Sequence, residues 1–404
     1  MKVPSLSDSN QTVGWFELFY DLVIVAAVGL TNDAFLEDPS TQSALVSLLA
    51  MSALCWVWFL TTLYNNLYPG EGLLRRVFML VQMAAIITAA LAVDEFGGLE
   101  PSRGLIAYGV ALLMVVALIY WGGRESPAGA VRRSSGPLAI SALICFGGAL
   151  LAPGSPVLCL VSALLVSVLP ILLTRYRESH AAFLLRYDHL RERLGLFVLI
   201  VLGEGFAQLV HALHGLGSIP NAGVFALTFL VAFALWWIYF DGTFTRTTDL
   251  ATVRWRLSLI AHLTLVFGMV GTLDVLVLFT VRQQGELGSY HFGYFAACLA
   301  TVFMSFAVLG FTVRGRWDAA GWVLVGSGLL TLVLGFVVLP HYDIRSYAVM
   351  TVAAVLVVAN ALFTVIYNRG RTSHRWGEAL ESAVSGVDED GDLSGGAATL
   401  GSGG

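Results

Sequence analysis

The chain has 404 residues, of which 57% are hydrophobic and 12% charged, against about 45–50% and about 25% in soluble domains. With a mean hydropathy of +0.79, this excludes a water-soluble globule, whose own surface would have to be apolar. The formal net charge of −5 comes mostly from an acidic C-terminal tail, and nothing in it points to a nucleic-acid partner.

Apolar runs of about 20 residues read as membrane-spanning helices. Lys2 is the sole basic residue before the first run, and Glu17 and Asp21 lie within that run. It therefore reads as a retained span and not as a cleavable signal. In chain order the predicted spans lie near 14–32, 43–66, 76–93, 104–121, 137–152 and 156–173, then 195–213, 222–240, 257–279, 291–312, 321–339 and 347–367. The fifth and sixth are short and separated only by Ala152-Pro153-Gly154-Ser155-Pro156, so a tight hairpin or a re-entrant pair is also open. The fold class is all-α: a polytopic helical membrane protein of about twelve helices.

Residues 174–194 form the longest charged connector, with Arg175, Arg177, Arg186, Arg191 and Arg193 set among Phe183, Leu184, Leu185 and Leu190. That pattern predicts an amphipathic helix on the inner membrane surface, meeting anionic headgroups through Arg186, Arg191 and Arg193. Residues 372–404 are rich in Gly, Ser and acids and predict a disordered tail.

Cytoplasmic segments carry the Lys/Arg excess in inner-membrane proteins. Segments alternating from the N-terminus hold nineteen of the 22 basic residues, and the others hold three. Both termini are therefore expected in the cytoplasm of a cell (inner) membrane protein. A repeat is also visible. Glu17 and Glu192 precede similar apolar runs at an offset of 175, Trp58 and Trp237 match at 179, and Arg76 and Arg256 match at 180. Two parallel six-helix halves follow, 1–173 and 195–371, joined by the linker 174–194. Such halves are one known transporter design.

Two segments are unusual for apolar helices. One is Glu17-Leu18-Phe19-Tyr20-Asp21-Leu22-Val23-Ile24-Val25-Ala26, and the other runs from Arg191-Glu192-Arg193-Leu194-Gly195 to Leu202-Gly203-Glu204. Together they resemble the bacterial low temperature requirement protein A family, whose first span typically begins ELFFDLVFV and whose later one reads ERFGLFTIIVLGE. Tyr20, Leu194 and Val198 depart from that pattern. The resemblance implies a multi-pass membrane protein of a family named for a growth defect in the cold, and brings no biochemical activity with it.

A charge inside the bilayer costs about 2.5–3.5 kcal/mol even on insertion scales, so each one marks a partner or a purpose. Glu17 and Asp21 share a helix face at i, i+4. Glu204 lies about 15 Å into the seventh span, near the midplane, flanked by Gly203 and Gly205. With His262 and Asp274 of the ninth span, these residues are the expected substrate or proton site. Arg76, Arg256, Asp241, Gln82 and Asn65 are the expected polar or ion-pair partners. Glu17 and Asp21 also read as packing residues paired with Arg76 or Arg256. The tryptophans read as packing or interfacial residues.

No nucleotide-binding, hydrolase or metalloprotease motif occurs, and the pair His211 and His214 has no evident third ligand. No metal or cofactor is expected, and the chain does not read as an enzyme. Cys55, Cys145, Cys159 and Cys298 lie within apolar runs and read as packing residues. Two functions follow. One is a secondary transporter or permease, proton-coupled, for an unknown small solute or ion. The other is a non-transporting envelope sensor, scaffold or lipid-binding factor linked to growth in the cold.

Overall fold

A computed structural model describes residues 14–32, 35–36, 40–68, 72–93, 103–122, 129–151, 154–173, 187–216, 222–244, 254–281, 289–339 and 347–367. The described residues form twelve helices and no strand. They are α1 (Trp15–Leu30), α2 (Thr41–Leu67), α3 (Leu73–Leu91), α4 (Arg103–Gly122), α5 (Gly129–Leu151) and α6 (Pro156–Leu173), then α7 (Tyr187–Leu216), α8 (Ala222–Trp237), α9 (Arg254–Val281), α10 (Ser289–Arg314), α11 (Ala319–Val333) and α12 (Tyr347–Tyr367). A π-helical turn extends α8 over Ile238–Phe244, and another extends α11 over Leu334–Val338.

Each predicted apolar run falls on one of these helices. Nine of them are long and apolar enough to cross a bilayer. The apolar parts of α5 (Ser135–Leu151) and α6 (Pro156–Pro170) are shorter, and α1 has 16 residues. Two helices extend beyond their apolar runs. α5 starts at Gly129 and α7 at Tyr187, because a helix continues through polar residues where hydropathy stops counting. The second part of the expected surface linker is therefore the first two turns of α7. Its first part, 174–186, lies outside the described residues, as do Arg186, the side chains of Arg254 and Arg256, and the tail 372–404.

Four helices of each half follow the same order of neighbours, and the second helix of each half packs differently. α1 packs on α3, α3 on α4, α4 on α5, and α2 on α1 and α4. Likewise α7 packs on α9, α9 on α10, α10 on α11, and α8 on α9, with its π-helical turn against α10. α1 and α7 meet where the two sets join. Large apolar side chains such as Leu150, Leu151, Val210, Phe229 and Ile366 are exposed, the outcome expected when the solvent is lipid.

Small residues allow the helices to approach. A Cβ on Gly268 of α9 would sit 2.8 Å from the carbonyl oxygen of Cys298 on α10. A Cβ on Gly205 of α7 would sit 2.7 Å from Leu273 Cδ1 on α9. Gly203 meets nothing within 4 Å. Of the two glycines beside Glu204, only Gly205 admits a neighbouring helix.

Candidate functional site

The polar residues of α1, α7 and α9 gather at two levels. The first level is built from i, i+4 pairs on two helices. Glu17 and Asp21 face His189 and Arg193, so both contacts have the same offset in sequence. Two helices in such register lie side by side and run in the same direction. Arg193 Nη2 donates to Asp21 Oδ1 at 2.8 Å, and Arg193 Nε donates to Oδ2 at 3.2 Å. On α2, Trp58 Nε1 donates to Asp21 Oδ1 at 2.7 Å. Its ring stacks on Phe197 of α7 with centroids 4.0 Å apart.

Glu17 completes this level. Its carboxylate lies 3.5 Å from Arg75 Nη2, 3.6 Å from Arg193 Nη1 and 3.4 Å from His189 Nε2. Asp21 and Arg193 are each 0% exposed. A buried charge must be paired and hydrogen-bonded, and four helices contribute to that pairing here. Above it lies an apolar layer: Ile24, Val25 and Val28 of α1, Phe197 and Val201 of α7, and Leu265 and Met269 of α9, all buried.

The second level holds a cavity of about 330 Å³ between α1, α7 and α9, lined by Glu204, Gln208, His211 and Asp274, with Ala26, Gly29, Leu30, Leu36, Val277, Leu278 and Val281 as its walls. Glu204, Gln208 and His211 follow the i, i+4, i+7 spacing, which puts them on one face of α7. Asp274 Oδ2 accepts from Asn32 Nδ2 at 2.7 Å, and Tyr294 donates its hydroxyl to Asn32 Oδ1 at 2.7 Å. Phe35 packs on the Tyr294 ring with centroids 4.1 Å apart. Glu204 makes no ion pair or hydrogen bond among the described residues.

The residues predicted from sequence thus separate. Glu17 and Asp21 belong to the first level, and Glu204 and Asp274 to the cavity. His262 lies apart. Its Nδ1 pairs with the Ser258 carbonyl at 2.7 Å on its own helix, and its ring meets the edge of Tyr239. Asp241 accepts from Trp237 Nε1 at 2.7 Å within one helix turn. Gln82 joins α2, α3 and α4: Thr61 Oγ1 donates to its Oε1 at 3.0 Å, and its Nε2 donates to the Ala111 carbonyl at 3.1 Å. Asn65 is buried with its amide 4.0 Å from Met79 Sδ.

One sequence-based assignment is corrected. Arg193 is fully buried against Asp21, so its guanidinium is not free to meet headgroups. Among the described residues Glu17 and Asp21 pair with Arg193, Arg75 and His189; of the partners expected from sequence, Arg76 is exposed and the Arg256 side chain lies outside the described residues. Trp58, Asn32, Gln208 and Tyr294 were not singled out from sequence as site residues. The spacing of Gln208 and His211 from Glu204 was a visible signal for the cavity face. Nothing in the sequence links Asn32 to Asp274, 242 positions apart.

Residues 12–362 match the model of the family described as Bacterial low temperature requirement A protein (LtrA). The chain is also 28% identical over 305 residues to an uncharacterized protein of Rhizobium meliloti (strain 1021), covering 70% of this chain and 74% of that one.

Proposed function

The chain belongs to the bacterial low temperature requirement A family, and from that premise we propose that it is a secondary transporter or permease, proton-coupled, rather than an enzyme. In this reading all twelve helices span the cell (inner) membrane as two parallel sets of six, with both termini in the cytoplasm. The repeated order of helix neighbours supports the two sets, and the parallel register of α1 and α7 at their junction supports the orientation of one against the other.

The carrying observation is the outer cavity at that junction. Glu204, Gln208, His211 and Asp274 line it, at a depth where ionisable groups mark substrate or proton pathways. The apolar layer and the Asp21–Arg193 pair then close the inner side. Alternating access requires such a closure on one side of a site and its release in the opposite state. Glu204 is the proton-carrying group in this reading.

The test is flux. Purified protein is reconstituted in liposomes, a pH gradient is imposed, and a broad panel of small solutes is screened. Solute uptake coupled to the gradient is expected, with Glu204→Gln losing the coupling while retaining its fold. If no solute moves and Glu204→Gln supports growth in the cold as wild type does, the transporter reading fails. The charge network tying α1, α2, α3 and α7 favours a second reading, a rigid non-transporting membrane factor that meets anionic lipid through Arg191. That version requires function to survive Glu204→Gln and to be lost with Arg191→Gln.

A further inference from the structure

We infer that the outer cavity takes a small organic cation: an ammonium or guanidinium head on an apolar body. The inference rests on the transporter reading for the purpose of the cavity, and on the cavity's own lining for the class of ligand.

Charge comes first. Two carboxylates, Glu204 and Asp274, face the cavity, and among the described residues no Lys or Arg lines it. Glu204, Gln208 and His211 stand on one face of α7 with no hydrogen bond or ion pair among the described residues. A carboxylate in low-dielectric surroundings attracts a cation far more strongly than it would in water. An anion entering here would meet two like charges. A neutral solute would leave Glu204 unpaired, which is costly in a hydrocarbon setting.

Size and wall chemistry narrow the class. The volume of about 330 Å³ corresponds to roughly ten water molecules at about 30 Å³ each, far more than a bare ion fills. Among the described residues no three His, Cys, Asp or Glu side chains converge as a metal site would require. The remaining wall is apolar and includes Leu30, Leu36, Val277 and Leu278. A ligand with a charged head and an apolar body satisfies both sides at once. Gly29 leaves room beside Gln208 in this lining, because a Cβ there would lie 3.0 Å from Gln208 Nε2.

The test is equilibrium binding to the full chain in detergent, which requires no transport. The probes are 2-phenylethylammonium, its neutral analogue 2-phenylethanol and the anion phenylacetate, with tetraethylammonium and methylguanidinium to vary the head. Binding is read by calorimetry and by the shift in thermal unfolding. Saturable binding of at least one of the three cations is expected, with no saturation by the alcohol or the anion. Glu204→Gln, at the unpaired carboxylate, is expected to weaken it at least tenfold. Leu278→Trp, which fills the cavity and leaves its charge, is expected to weaken it as well. The inference is overturned if none of the cations binds to the folded wild type. It is also overturned if the alcohol or the anion binds as tightly, or if Glu204→Gln binds the cation unchanged. Cation binding without flux in liposomes removes the transporter reading and keeps the site; Glu204-dependent flux of a non-cationic solute does the reverse.

Discussion

Arg193 and Asp21 are 172 positions apart in sequence and 2.8 Å apart in space, both fully enclosed. Their contact fastens the seventh helix to the first, and Trp58 adds the second helix to the same carboxylate. Removing one member of a buried pair leaves an uncompensated charge and costs about 3–5 kcal/mol, whereas removing both can be close to neutral. Arg193→Leu should therefore destabilise the protein by about that amount, and Arg193→Leu with Asp21→Leu should recover more than half of the loss. Unfolding in detergent, analysed as a double-mutant cycle, checks this. A single variant within about 0.5 kcal/mol of wild type, the scatter of ordinary surface changes, is incompatible with the pairing described. Trp58→Phe keeps the stack on Phe197 and loses a hydrogen bond to a charged acceptor, for a cost of about 1.5–3 kcal/mol.

Two glycines on one helix turn should behave oppositely. Gly205→Ala places its new methyl 2.7 Å from Leu273 Cδ1 and 3.0 Å from Leu273 Cβ, and forced overpacking costs about 1–3 kcal/mol. Gly203→Ala meets open space and gains helix propensity of about 0.5–1 kcal/mol. Melting temperatures in the same detergent should fall for the first and hold or rise for the second. The reverse order would show that α7 presents a different face to α9.

Gln82 is 0% exposed and bridges three helices. Hydrogen bonds between membrane helices average only about 0.6 kcal/mol in double-mutant cycles. Gln82→Leu should then lower stability by no more than about 2 kcal/mol, and Thr61→Val should couple to it weakly. A loss as large as that of Arg193→Leu would mean that the amide holds more than the two contacts seen.

The proposed orientation has a direct readout. Arg316 is exposed in the short connection between α10 and α11, on the side assigned to the cytoplasm. Arg316→Cys should react with a membrane-impermeant maleimide in inside-out vesicles and not in intact cells. The native cysteines are buried or partly buried and contribute a low background. Labelling of intact cells would invert the assignment.

Hydropathy alone located all twelve helices, because a bilayer demands length and apolarity from each segment independently of its neighbours. It also marked Glu17, Asp21, Glu204 and Asp274, since a charge inside an apolar run is conspicuous without any knowledge of its partner. The partners were not legible. Arg193 stands in a charged flank where an arginine ordinarily meets headgroups, and which way it points depends on the helix beside it. Likewise Trp58 and Trp237 occupy repeated positions in the sequence, yet Trp58 binds Asp21 across a helix interface and Trp237 binds Asp241 within its own helix. The first repeat has an acid where the second has Leu196. Sequence by itself determined which segments form apolar helices and which residues are out of place in them. Only tertiary structure decided that the charges divide into a sealed pair and a separate cavity, because that division depends on how α1, α7 and α9 are turned toward one another.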